Sequence, residues 1–201
     1  MGKRVDFIFD FGGPNAYLAH NVMADFKAET GAEINYVPCL LGGIFKATGN
    51  QPPWAVFAHV KSKLDYETLE MNRFIAKHKL TKFKMNPNFP INTILLMRGA
   101  IVAQAHGHYD AYINAGMRFM WEDGLKMDDP KVYVKAFDEA GLDGAALLEG
   151  TQDPAIKAKL AANTDEAVTR GVFGVPTFFV GDDMFFGKER LNQVKEALAA
   201  S

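Results

Sequence analysis

The chain has 201 residues, 48% of them hydrophobic and 23% charged, which is enough apolar material for one large domain or a small domain carrying an insertion. Its 22 basic and 24 acidic residues leave a formal charge of −2, with no basic stripe that would neutralise phosphates, so nucleic acid is not an expected partner. No apolar run approaches the ~20 residues needed to span a bilayer, so no membrane partner is expected, and Cys39 stands alone, which excludes an intrachain disulfide and suits a reducing, cytoplasmic setting.

Residues 4–10 alternate and are rich in aromatics, as a first strand rather than a signal peptide, with Val5, Phe7 and Phe9 on one side and Asp6, Ile8 and Asp10 on the other. Gly12 and Gly13 break the strand, and Pro14 fits the first position of a helix, where its missing N–H has no helical partner in any case. The spacing of Tyr17, Leu18, Val22, Met23 and Phe26 predicts a helix to about Thr30, ended by Gly31. Glu33 to Leu41 reads as a second strand through Ile34, Tyr36 and Val37. A connection punctuated by Gly and Pro follows from Gly42 to Pro53, with room for a helical turn.

Beyond it the periodicity predicts helices over 55–79, 92–106, 109–122, 130–140, 143–148 and 154–170, the last capped by Asp153, with a loop over 85–91. The aromatics of 117–121 and 133–137 have helical spacing, as core or dimer contacts. The end reverts to strand: Thr177–Val180, a Gly181-Asp182-Asp183 turn, then Met184–Phe186 form a hairpin, followed after Gly187 by a helix over 188–199. A sheet begun at one end of the chain and finished at the other is one folding unit of α/β class. Its first two strands lie parallel, with the first helix crossing right-handed between them.

Two places carry chemistry. A helix start after a strand presents N–H groups without helical partners and the positive end of the helix dipole, which holds an anion and lowers a thiol pKa. Gly12, Gly13 and Pro14 stand there, although an ordinary strand-to-helix turn is the simpler reading of that segment by itself. The second is Gly171 to Val180, where Pro176 enters a buried strand and removes a ladder donor. A cis Val175-Pro176 bond would leave the Val175 backbone to pair with an extended peptide; a plain edge-strand proline is the alternative. The histidines form no metal site, His106 and His108 pointing apart on a helix, and Cys39 reads as a small core residue.

These segments, with Leu40 to Asn50, Lys63 to Tyr66 and Val172 to Leu191, resemble the 2-hydroxychromene-2-carboxylate isomerases and kappa-class glutathione transferases, within the DsbA-like branch of the thioredoxin superfamily. The resemblance covers nearly the whole chain. It implies a thioredoxin-like fold with an all-helical insertion between the βαβ and ββα halves, divided as 1–41 plus 171–201 and 42–170. It also implies glutathione as cofactor, a homodimer, and as substrate a small acid derived from an aromatic compound.

Residue by residue, Val175 and Pro176 match the position whose backbone pairs with the cysteinyl part of glutathione. Phe186, Gly187, Lys188 and Glu189 match the turn that holds its γ-glutamyl end, with Glu189 in place of the usual aspartate. Lys46, Asn50, Lys63 and Tyr66 match polar positions around the pocket, and Asn92, with Phe89 and Pro90, falls on its rim. The chain departs from the pattern at Gly13, where the family carries a serine that donates to the glutathione sulfur. A charge-assisted hydrogen bond of that kind is worth about 1.5–3 kcal/mol. Its loss leaves the thiolate to backbone amides near Asn15 or to the Asn15 side chain. Three functions follow as expectations: a glutathione-dependent cis/trans isomerase, a kappa-like transferase, or a catalytically silent thiol-peptide-binding protein.

Overall fold

The computed structural model describes residues 2–200. Four strands form one sheet in the order β2-β1-β3-β4: β1 is Arg4–Phe9, β2 Glu33–Pro38, β3 Thr177–Val180 and β4 Asp183–Phe186. β1 pairs parallel with β2, Phe7 opposite Tyr36, and antiparallel with β3, where Phe7 faces Phe178. β3 and β4 close the predicted hairpin, with Gly181 at φ 59° in its turn.

Eleven α-helices complete the described chain. α1 (Pro14–His20) and α2 (Met23–Thr30) lie between the first two strands. The sequence predicts one helix here. Instead the ladder breaks at Asn21 and Val22: the Tyr17 carbonyl accepts both the Asn21 backbone N–H at 3.1 Å and the Asn21 side-chain amide at 2.9 Å, and the Val22 N–H turns to the Ala19 carbonyl, three residues back, at 3.1 Å. Gly31, at φ 68°, ends α2 as expected.

Between β2 and β3 come α3 (Leu41–Thr48), α4 (Pro53–Val56), α5 (Lys63–His78), α6 (Ile94–Ala105), α7 (Tyr109–Trp121), α8 (Pro130–Glu139), α9 (Gly144–Gly150) and α10 (Pro154–Thr169). The stretch expected as a helical turn after Gly42 is thus a full helix, α3, starting one residue earlier. The helix expected over 55–79 divides, because Ser62 takes φ 64° and starts α5 afresh. Asp129, Asp143 and Asp153 cap α8, α9 and α10 by accepting from backbone N–H groups in the first turn. The final helix opens as a 3₁₀ turn, Lys188–Arg190, before α11 (Leu191–Ala200). Among the described residues no helix is long and apolar enough to cross a membrane.

Alternation along β1 serves both faces of the sheet. Val5, Phe7 and Phe9 join the main core with Phe178, under α1, α2, α6, α7 and α11. Ile8 turns to a smaller core with Cys39, Ile44, Ala167, Val172 and Phe179, covered by α3 and α10. Met117, Phe119, Trp121, Tyr133 and Phe137 are all interior, in the same cluster as the sheet residues, so the aromatics of 117–121 and 133–137 are core. Each such ring contributes about 1.5–3 kcal/mol of burial. That shared core fixes the helices against the carboxyl end of β1, where the candidate site lies.

Candidate active site

β1 delivers Asp10, whose carboxylate is wholly buried at the root of the first turn. One oxygen accepts the Gly12 N–H at 2.8 Å and the other the Leu41 N–H at 2.7 Å. The Thr93 side chain is a further hydrogen-bond partner. Burial still raises the carboxyl above its ordinary range, against the pull of those donors. Asp10 thereby ties together the starts of α1, α3 and α6.

Gly13 is the N-cap of α1, with φ −93° and ψ 109°, and provides no side-chain cap. Its N–H bonds the Asp10 carbonyl at 3.1 Å, and its own carbonyl receives the Ala16 and Tyr17 N–H groups at 2.9 and 3.2 Å. Gly12 is likewise engaged and Pro14 has no N–H. The set of free amides expected at this helix start therefore narrows: among the described residues from Gly12 to Tyr17, only the Asn15 N–H has no acceptor. The Asn15 side-chain oxygen is also buried without a partner. A buried polar atom left unpaired costs about 1–3 kcal/mol, and it lies beside the one open amide of a helix N-terminus.

Across Gly13 stands Val175, and the Val175-Pro176 bond is cis. A β-carbon on Gly13 would lie 3.1 Å from Val175 Cγ2, so the valine occupies the space beside the missing side chain. Among the described residues no backbone hydrogen bond reaches Val175, whereas the Pro176 carbonyl accepts the Gly187 N–H at 2.9 Å. Gly13 and Gly187 therefore both adjoin the Val175-Pro176 segment at one end of the sheet. α1 packs on the Lys188–Arg190 turn.

Phe186 is 43% exposed and lies against the likewise exposed ring of Phe173, with centroids 4.6 Å apart. Lys188 is buried and ion-paired with Glu189. Asn50 reaches the same region, its amide donating to the Phe173 carbonyl at 2.8 Å.

The remaining expected positions spread out. Lys46 is exposed on α3, and among the described residues it has no ion pair. Lys63 at the start of α5 pairs with Glu67 and lies 5.2 Å from the Phe57 ring, and Tyr66 is 51% exposed. Asn92 is exposed and accepts the Ile94 N–H at 3.0 Å just ahead of α6, while its buried neighbour Thr93, the N-cap of that helix, touches the site. A β-carbon on Gly12 would meet Thr93 Cγ2 at 3.1 Å.

Asp10, Thr93 and Trp121, which donates to the Phe11 carbonyl at 2.8 Å, are the supports that sequence reading passed over. An acid closing an apolar strand just before two glycines was the available signal for Asp10. Cys39 is a core residue, donating to the Asn163 carbonyl at 3.3 Å with its thiol pushed up to about 12 by burial.

The family model of the DSBA-like thioredoxin domain matches residues 4–199. The chain belongs to the DSBA-like thioredoxin family. Within that family it is 29% identical over 200 residues to a 2-hydroxychromene-2-carboxylate isomerase of Sphingobium xenophagum, covering 98% of this chain and 99% of that one. It is 30% identical over 199 residues to the same-named protein of Pseudomonas sp. (strain C18), covering 98% and 91%. A solved structure of a 2-hydroxychromene-2-carboxylate isomerase superposes with a TM-score of 0.83 at 28% identity, over 98% of this chain and 95% of the other. More distant full-length matches, at 22–24% identity, are kappa-class glutathione S-transferases of Caenorhabditis elegans, Homo sapiens and Rattus norvegicus. This DSBA-like chain thus sits with the isomerases of its family, and it carries neither a cysteine nor a serine at Gly13.

Proposed function

We propose that the chain is a glutathione-dependent cis/trans isomerase of a ring-opened aromatic acid, of the 2-hydroxychromene-2-carboxylate type, serving aromatic-compound breakdown as a cytoplasmic homodimer. The observation that carries this reading is that the open Asn15 N–H and the Val175 backbone, neither with a hydrogen-bond partner among the described residues, flank Gly13, in a chain similar to such isomerases along its whole length. These groups suit a thiol peptide: the turn lacks a side chain at Gly13, and the orphaned Asn15 oxygen supplies a buried acceptor awaiting a donor.

When bound, glutathione supplies a sulfur nucleophile for the conjugated enone, so that the neighbouring bond turns and the sulfur is released. The chain's own residues do the rest. The Asn15 N–H holds negative charge at the sulfur. Val175 pairs with the cysteinyl backbone as an added strand, and Gly187 to Glu189 receive the γ-glutamyl end. Lys46, without an ion pair among the described residues, takes the substrate carboxylate more readily than Lys63, which Glu67 already holds. Asn50 fixes the Phe173 carbonyl and so positions the loop ahead of Val175. Tyr66 and Asn92 border the substrate side.

The test is turnover of 2-hydroxychromene-2-carboxylate followed by absorbance, with and without glutathione. Turnover that depends on glutathione is expected, and no turnover with saturating glutathione overturns the reading. The kappa-class matches favour a second reading, a glutathione transferase. Conjugation of glutathione to an aryl halide separates the two, because an isomerase returns its glutathione unconsumed.

A further inference from the structure

Two large aromatic side chains stand in water beside the Val175-Pro176 segment. Phe173 is 39% and Phe186 43% exposed, and the rings touch each other with their planes tilted by 48°. Their placement follows from the sheet. Phe185 packs against the main core, so its neighbours Met184 and Phe186 stand on the opposite face. Met184 lies opposite Phe179 of the smaller core, so that face is the side of α3 and not of α11. The Phe186 ring is thereby turned away from the final helix.

The backbone under the rings is held at successive points. The Phe173 carbonyl accepts the Asn50 amide at 2.8 Å, the Gly174 carbonyl the Thr177 hydroxyl at 2.8 Å, and the Pro176 carbonyl the Gly187 N–H at 2.9 Å. A β-carbon on Gly174 would lie 3.0 Å from Phe186 Cε2, so that ring rests directly on bare backbone. Exposed apolar surface on so fixed a support is a mark of a binding site. Aromatic rings favour offset and edge-on contact with one another, so a tilted, exposed pair extends naturally to a third ring.

Charge supplies the other half. Asn50, which grips the Phe173 carbonyl, is four residues beyond Lys46. Lys46 is exposed in the last turn of α3 and has no ion pair among the described residues. An unmatched cation and a fixed aromatic pair on neighbouring segments complement a ligand that carries both a carboxylate and a flat ring. We infer that Phe173 and Phe186 are specificity-determining residues, a platform that takes the aromatic ring of an acid whose carboxylate goes to Lys46. The inference rests on the aromatic-acid reading given above and adds to it the residues that read the ring. They select a flat aromatic acid over a saturated acid of similar size.

Calorimetric titration of the full chain, saturated with glutathione, tests this with two probes: 1-naphthoate and its saturated counterpart, decahydronaphthalene-1-carboxylate. The unaltered protein is expected to bind the naphthoate about tenfold more tightly. Phe173→Leu and Phe186→Leu stay apolar and lose the aromatic face. Each is expected to bring the two acids to within about twofold of each other while glutathione binds as before. Lys46→Met is expected to weaken both acids by a common factor and to keep the preference. With 2-hydroxychromene-2-carboxylate, the leucine variants are expected to raise KM about tenfold with kcat little changed. Equal binding of the two acids by the unaltered protein, or binding of neither, overturns the inference and leaves the isomerase reading in place. So does a preference that survives both leucine variants, or a loss that extends equally to glutathione, as a packing role alone would give. Absence of turnover together with a preference that the leucine variants abolish sinks the isomerase reading and upholds the platform.

Discussion

The chain turns from strand to helix at a glycine twice, once at Gly13 after β1 and once at Gly187 after β4, and the two turns are stabilised by opposite buried charges. Beneath the first is the Asp10 carboxylate, fully buried and satisfied by N–H groups of Gly12 and Leu41. Beneath the second is the Lys188 ammonium, 3% exposed and satisfied by its neighbour Glu189. The first turn uses its charge inward, to hold backbone, and among the described residues from Gly12 to Tyr17 leaves the Asn15 N–H and the Asn15 side-chain oxygen without partners. The second keeps its charged pair at the edge of a cleft. The same local geometry thus yields one end without an ion pair and one end that carries one. The difference lies in which partner the buried charge has.

The largest effect is expected from removing the first of those charges. Asp10→Ala leaves the Gly12 and Leu41 N–H groups buried without acceptors, at a cost of about 3–5 kcal/mol in unfolding free energy by urea titration. Asp10→Asn keeps one acceptor and loses less. The pH dependence separates the two causes. A carboxyl raised by burial stabilises the fold most when protonated, below its unfolded value, and that contribution is lost as pH rises through the folded value. The deficit of Asp10→Asn relative to the unaltered protein is therefore expected to shrink as pH rises. A deficit that grows with pH would mean that the turn depends on the negative charge itself.

His20, at the far end of α1, gives the opposite sign and is the necessary control. Burial pushes its imidazole down to about 4, with its Nδ1 2.8 Å from the Tyr36 hydroxyl. The unfolded chain takes up a proton near 6.5 that the folded one refuses until about 4. Stability therefore falls as pH drops through that window, by about 3 kcal/mol at most. His20→Gln is expected to flatten that acid limb in thermal melts between pH 7 and 4, exposing the contrary slope of Asp10. An unchanged limb would assign acid sensitivity elsewhere.

Much of this was legible in the sequence. Alternation placed β1, the hairpin and the helices, and the Gly-Pro and Gly-Lys-Glu segments were singled out as the two ends of one groove. The misses have physical reasons. The break between α1 and α2 lies where the Val22 N–H shifts to the Ala19 carbonyl while the Asn21 side chain joins its own N–H on the Tyr17 carbonyl, which no period reveals. Local propensity favours helix from residue 55 onward, and it is the left-handed Ser62 that divides the stretch. Asp10 and Thr93 act through partners 31 residues and more away along the chain, so their role exists only once α3 and α6 are in place. Lys188 looks like a solvated surface residue until α5 brings Phe74 over it.

Turnover provides the next contrast. Gly13→Ser places a β-carbon 3.1 Å from Val175 Cγ2, at a backbone conformation that any residue adopts. A small displacement of the valine admits it, and stability should shift by about 0.5 kcal/mol or less. A restored donor at the sulfur is worth about 1.5–3 kcal/mol. In the isomerase and transferase readings alike, kcat is expected to rise by about tenfold or more, with KM for glutathione little changed. A substitution that folds, binds glutathione and adds no activity would mark the first turn as a binding site alone and favour a catalytically silent protein.

The smallest stability effect is the most diagnostic, because it is expected to run against function. Asn15 keeps a buried oxygen unpaired in the free protein, and leucine at that position removes the orphan and favours the helix. Asn15→Leu should therefore hold or raise the unfolding free energy, by about 1 kcal/mol, while turnover drops about tenfold through loss of the polar group beside the open N–H. Gain in one and loss in the other is the signature of a group kept for a ligand rather than for the fold. No such gain is available at the second turn, where Lys188 already has its partner. A simple loss of both stability and turnover in Asn15→Leu would show that this side chain is structural, and would leave the backbone N–H as the first turn's whole contribution.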